Sequence, residues 1–148
     1  MRERPAFPDL VRAAGMIFSA TVKAIERRPA MAGQSVATVA ITLHVEQGVR
    51  GVKSGEDVII SQWIGLWSGG QRYRVGEHVL LFLYPRSKLG LTSCVGGTLG
   101  RFNMDAWGRV MLSGQHLTAF QKNPVMGGRS RVRFSDFALA VRHAGEEE

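Results

Sequence analysis

The side chains best suited to covalent or metal chemistry are sparse in this chain: one cysteine, Cys94, and four histidines, His44, His78, His116 and His143. A nucleophilic thiol needs a lowered pKa and a base beside it. Cys94 instead sits in the mostly apolar stretch Leu91-Thr92-Ser93-Cys94-Val95, which predicts a buried structural thiol. No two histidines have the close spacing of zinc ligands. His44 and His78 fall inside strand-like stretches, where a solvated or hydrogen-bonded face is expected. Ser68 lies in Gly65-Leu66-Trp67-Ser68-Gly69, which is not the G-x-S-x-G elbow that exposes a nucleophile. Gly96-Gly97-Thr98-Leu99-Gly100-Arg101 lacks the lysine and the following helix of a phosphate loop, and reads as a bend. The expectation is therefore no catalytic set, no metal site and no cofactor.

Binding chemistry is concentrated elsewhere. Trp63, Trp67, Arg72, Tyr73 and Arg74 fall within the thirteen residues from Gln62 to Arg74, around Ser68-Gly69-Gly70. Aromatic rings beside arginines stack on bases, sugars or the side chains of a partner. The competing reading is that Trp63 and Tyr73 cap the core while Arg72 and Arg74 are simply solvated. These five are the candidate binding residues.

At 148 residues the chain is long enough for one domain, with a core that needs neither disulfide nor metal. We read one domain over residues 1–148, with a barrel at about 15–112 and a C-terminal loop and helix at 113–148. The net charge is +7; between Val49 and Phe134 twelve Arg or Lys stand against four acids, Glu56, Asp57, Glu77 and Asp105. Such a basic body can attract nucleic acid, anionic lipid or an acidic protein, although no run of five like charges occurs. The longest unbroken apolar stretch, Val79 to Tyr84, is too short to span a bilayer.

The elements that must position these residues are mostly strands. Ala37 to Glu46 alternates with a two-residue period, with Val39, Ile41, Leu43 and Val45 on one face, and its β-branched content excludes a helix. Met16 to Ile25 and Asp57 to Ile64 read as further strands. His78 to Tyr84 is apolar on both faces, as in a central strand, and Val39, Ile41, Leu43, Val79, Leu81 and Phe82 are expected to pack together. Leu91 to Val95 is predicted as a short strand. Arg101 to Met104 and Arg109 to Leu112 flank Asp105-Ala106-Trp107-Gly108, a hairpin connection with positive φ expected at Gly108. A first helix is predicted after an Asp9 cap and ended by a left-handed Gly15. Gln115 to Arg133 reads as irregular. A last helix follows a Ser135 cap, stapled by Phe134 and Leu139. Five or six strands, glycine-rich turns and a short helix at each end predict a mainly β fold, a closed or partly closed OB-like barrel, with a sandwich as the alternative.

Ile17-Phe18-Ser19-Ala20-Thr21-Val22, then Val45-Glu46-Gln47-Gly48-Val49-Arg50-Gly51, Gly55-Glu56-Asp57-Val58-Ile59-Ile60 and Tyr73-Arg74-Val75-Gly76-Glu77-His78-Val79-Leu80-Leu81-Phe82-Leu83 follow one another in an order that resembles the netrin-like barrel of tissue inhibitors of metalloproteinases, and especially bacterial members of that type. The resemblance covers Gly15 to about Leu112 and rests on structural motifs. It implies the barrel fold, and a largely extracytoplasmic location over a cytoplasmic one, although Met-Arg-Glu-Arg-Pro carries no apolar signal core. The inhibitors' N-terminal cysteine has no counterpart in Met1-Arg2-Glu3, so their inhibitory wedge is not implied. The function expected is a non-enzymatic binding module that engages a protein partner, with a protease as one candidate class. The alternative is a nucleic-acid-binding OB-fold protein that uses its basic surface and the Trp63 to Arg74 segment.

Overall fold

The structure is a computed structural model that describes residues 6–29, 37–67 and 72–146. The Met1-Arg2-Glu3 start, the Gly33 loop, the Ser68-Gly69-Gly70 turn and the final Glu147-Glu148 lie outside these residues. The chain runs α1 (Phe7–Ala13), β1 (Met16–Arg28), β2 (Thr38–Arg50), β3 (Asp57–Trp63), β4 (His78–Leu83), β5 (Arg101–Met104), β6 (Arg109–Met111), α2 (Gly114–Ala119), β7 (Arg131–Arg133) and α3 (Phe134–Glu146). All seven strands join one antiparallel sheet in the order β3-β2-β1-β4-β5-β6-β7. The ladder leaves β3 and β7 at its ends, so the sheet is not closed, and its strand count exceeds the expected five or six.

β1 is the hub. Its first half pairs with β4 and its whole length with β2, with register shifts near Ile17, Ser19 and Val22 that bend the long pair. The two faces of the sheet feed two cores. Phe18, Ala20 and Val22 join Val39, Ile41, Leu43, Val45, Val58, Ile60, Val79 and Leu81 in a cluster that contains no α-helix residue. Ile17, Leu80, Phe82 and Phe102 face the other way, under α1 and α3. Phe82 thus packs in a different core from Ile41 and Leu81, a correction that follows from β4 being buried on both faces.

Leu91 to Val95 does not form a strand. It touches β3 through an isolated bridge, Ser61 to Leu91, and β4 through another, Leu83 to Cys94. The β5–β6 hairpin turns where expected, with Gly108 at φ +78 and the Asp105 carboxylate accepting the N–H groups of Trp107 and Arg109. The helices start earlier than read. α1 begins at Phe7, and Asp9 reaches back to the Ala6 N–H rather than sitting at the cap. Gly15 is not left-handed; a side chain there would meet Pro85 at 3.0 Å. α3 begins at Phe134, so Ser135 lies within it, and Leu139 is exposed rather than stapled. The stretch read as irregular contains α2 and β7. α2 is capped reciprocally: Ser113 Oγ accepts the His116 N–H, and His116 Nδ1 accepts the Ser113 N–H. Among the described residues no helix is long and apolar enough to cross a membrane.

Candidate functional site

The β1–β2–β3 ladder brings Arg27, Arg28, Thr38 and Trp63 to one end of the sheet. The chain leaves β3 through a 3-10 turn, Ile64–Trp67, and residues 72–77 then run alongside β1. Val22 N–H donates to the Glu77 carbonyl at 2.9 Å, and Gly76 N–H to the Val22 carbonyl at 2.8 Å. This return places Tyr73 in the helix-free core at 1% exposure.

Ile25, Arg27, Trp67, Arg72, Tyr73 and Arg74 line a groove of about 470 Å³ at that end. Four of the five candidate residues therefore meet. The fifth, Trp63, does not line the groove: it is 50% exposed on the outer face, and its ring covers Gly65, where a side chain would come within 2.6 Å of it. Both proposed roles of the segment are split among its members, with Tyr73 a core residue and Arg72 and Arg74 exposed.

The rings of the groove already carry cations. The Arg72 guanidinium lies 5.2 Å from the centre of the Trp67 ring, and that of Arg101 lies 4.5 Å from the centre of Tyr73. Arg101 also donates to the Arg72 carbonyl and, at 3.0 Å, to Glu77, whose other carboxylate oxygen accepts the Arg74 N–H. One arginine thus clamps both ends of the 72–77 segment.

Beneath the groove lies a small buried polar cluster. Tyr73 Oη and Cys94 Sγ are 3.5 Å apart. Burial pushes the Tyr73 hydroxyl well above its usual pKa, with the neighbouring Cys94 adding to the rise. Burial likewise pushes the Cys94 thiol up, the opposite of an activated nucleophile. Gln62 is fully buried, and its amide nitrogen and oxygen have no hydrogen-bond partner. The Trp67 indole N–H is also buried without an acceptor.

The histidines lie elsewhere. His44 Nδ1 is 2.7 Å from Asp57, and His78 Nδ1 is 3.1 Å from Glu46, which also accepts the Thr21 hydroxyl. That Thr21 bond, opposed by partial burial, holds the Glu46 carboxyl below its ordinary pKa. Among the described residues no group of three or more His, Cys, Asp or Glu side chains is placed to hold a metal ion. A larger groove, about 790 Å³, separates α3 from the end of β2, but Arg50, Asp136 and Arg142 give it charges of mixed sign.

Arg27, Ile25, Gln62 and Arg101 were not among the candidates. Gln62 had a sequence signal: it follows Val58 and Ile60 at the two-residue period that points inward. Arg27 and Arg101 had none, because they come from β1 and β5, distant in the chain. No family model matches this chain, and neither does any curated protein sequence.

Proposed function

We propose that this protein is a non-enzymatic binding module on an OB-like barrel, and that it engages a protein partner through the groove of Trp67, Arg72, Tyr73 and Arg74. The barrel reading is supported by the core free of α-helix residues and by residues Leu91 to Cys94, which touch the open edge strand β3 on one side and β4 on the other and so curl the sheet back toward itself. The order of strand motifs supports kinship with netrin-like domains, among which a protease is one class of partner.

The observation that carries the functional reading is an arginine laid on an indole at the rim of a groove. The contact with the indole restrains Arg72 before any partner arrives, so less side-chain freedom remains to be lost on binding, and arginine and tryptophan are enriched among the residues that dominate protein interfaces. The nucleic-acid alternative has less support. A base needs an open aromatic face, whereas of the two rings that line the groove Tyr73 is buried and a face of Trp67 is covered by Arg72.

The test is a photo-crosslinking amino acid placed at Trp63, beside the groove, with a control at Lys122 on the helical side. The expected result is one polypeptide captured from position 63 in the native cell, not from 122, and lost in an Arg72→Met, Arg74→Met background. Nucleic-acid adducts at 63, or capture no different from that at 122, would overturn the reading.

A further inference from the structure

Resting on that binding-module reading, we infer that the groove is a site for an acidic peptide segment, whose carboxylate is received by Arg27, Arg72 and Arg74. The charge balance of the groove is one-sided. Among the described residues three arginines line it and no carboxylate does. The nearest acids along the chain are already engaged: Glu77 with Arg101 and the Arg74 N–H, and Glu26 with Arg28 at 3.9 Å. Among the described residues the side chains of Arg27, Arg72 and Arg74 make no ion pair and donate no hydrogen bond. Their forks are open.

The form of the site favours a carboxylate on a polypeptide. A guanidinium offers paired, coplanar N–H donors that match the two oxygens of a carboxylate. Phosphate sites usually add backbone N–H groups, and here the Arg74 N–H is already given to Glu77. The remaining walls, Ile25 and Trp67, are apolar and suit the methylene stem of a glutamate or a neighbouring apolar side chain. The Arg72 guanidinium lies over the Trp67 ring, a contact that restrains the cation without neutralising its charge.

Titration calorimetry on the full chain, at low and at physiological salt, tests this. The probes are the capped peptide Leu-Glu-Glu-Leu-Glu, its all-glutamine counterpart, and an eight-nucleotide oligothymidylate. We expect the glutamate peptide to bind, the glutamine peptide to bind about tenfold more weakly or worse, and Arg72→Met, Arg74→Met to weaken the glutamate peptide by at least about tenfold. Arg129→Met, Arg133→Met removes the same charge from another part of the surface and should change binding about twofold or less once salt screens long-range attraction. Equal losses from the two double variants, or tighter binding of the oligothymidylate than of the peptide, would overturn the inference. No peptide binding while a polypeptide still crosslinks at position 63 would remove the acidic-peptide site and leave the binding module. Absence of both would remove both.

Discussion

Replacing Arg101 by methionine should unfasten the groove from the fold. The Arg101 side chain is only 12% exposed and does three things at once: it donates to the Arg72 carbonyl, pairs with Glu77 at 3.0 Å and covers the Tyr73 ring at 4.5 Å. Methionine keeps the stem and removes all three. A hydrogen bond from a charged donor contributes about 1.5–3 kcal/mol. The cation over the ring contributes about 1 kcal/mol. The ion pair, with Glu77 29% exposed, contributes about 1 kcal/mol or less after solvent screening. These overlap, so the expected loss is about 3 kcal/mol, a large part of the roughly 5–15 kcal/mol that holds a domain together. With a urea slope of about 2 kcal/mol per molar, the midpoint should fall by about 1.5 M. Urea unfolding followed by far-ultraviolet circular dichroism reads this directly. Arg101→Lys should lose less, and a cycle with Glu77→Gln should return a coupling of about 1 kcal/mol. A loss under about 0.5 kcal/mol for Arg101→Met, or an equal loss for the lysine variant, would refute the clamp.

Three further outcomes are expected. Ile41→Ala should destabilise by about 2–5 kcal/mol, because Ile41 is fully buried where β2 meets β1 and β3; a denaturation midpoint unchanged from the parent would contradict that packing. Gln62→Met should stabilise by about 1–2 kcal/mol, since it removes a buried amide with no protein partner at little change in volume; thermal unfolding at or below the parent temperature would show that the amide is satisfied. His116 is buried, stacked 4.0 Å from the Phe102 ring, with Nε2–H donating to the Leu99 carbonyl. Burial lowers its pKa below the usual histidine value, so both folded and unfolded chains are neutral there above about pH 6.5. Below that pH the unfolded chain takes up a proton that the folded one resists. Stability should therefore fall as pH drops through this window and level off below the folded pKa. In His116→Phe that slope should vanish; parallel profiles of parent and variant between about pH 7.5 and 5.5 would exclude the mechanism.

The sequence by itself determined the β character of this protein, and for a local reason. Alternation in β2 and the Asp105 to Gly108 turn are set by neighbours in the chain, through side-chain period and backbone preference, and both read correctly. It also gathered Trp67, Arg72, Tyr73 and Arg74, because they are close in the chain as well as in space. Short elements escaped: β7 is three residues and α2 six, too few to establish a period. Which core each face serves was decided only by tertiary structure. A two-residue period says that Phe82 and Leu80 share a face but not that helices cover it, and β4, apolar on both sides, carries no phase at all. The same holds at the groove. Arg27 arrives from β1 and Arg101 from β5, brought there by strand pairing across long stretches of chain. Whether an arginine is a solvated charge, a clamp or an open fork depends on what folding sets beside it, and no local pattern encodes that.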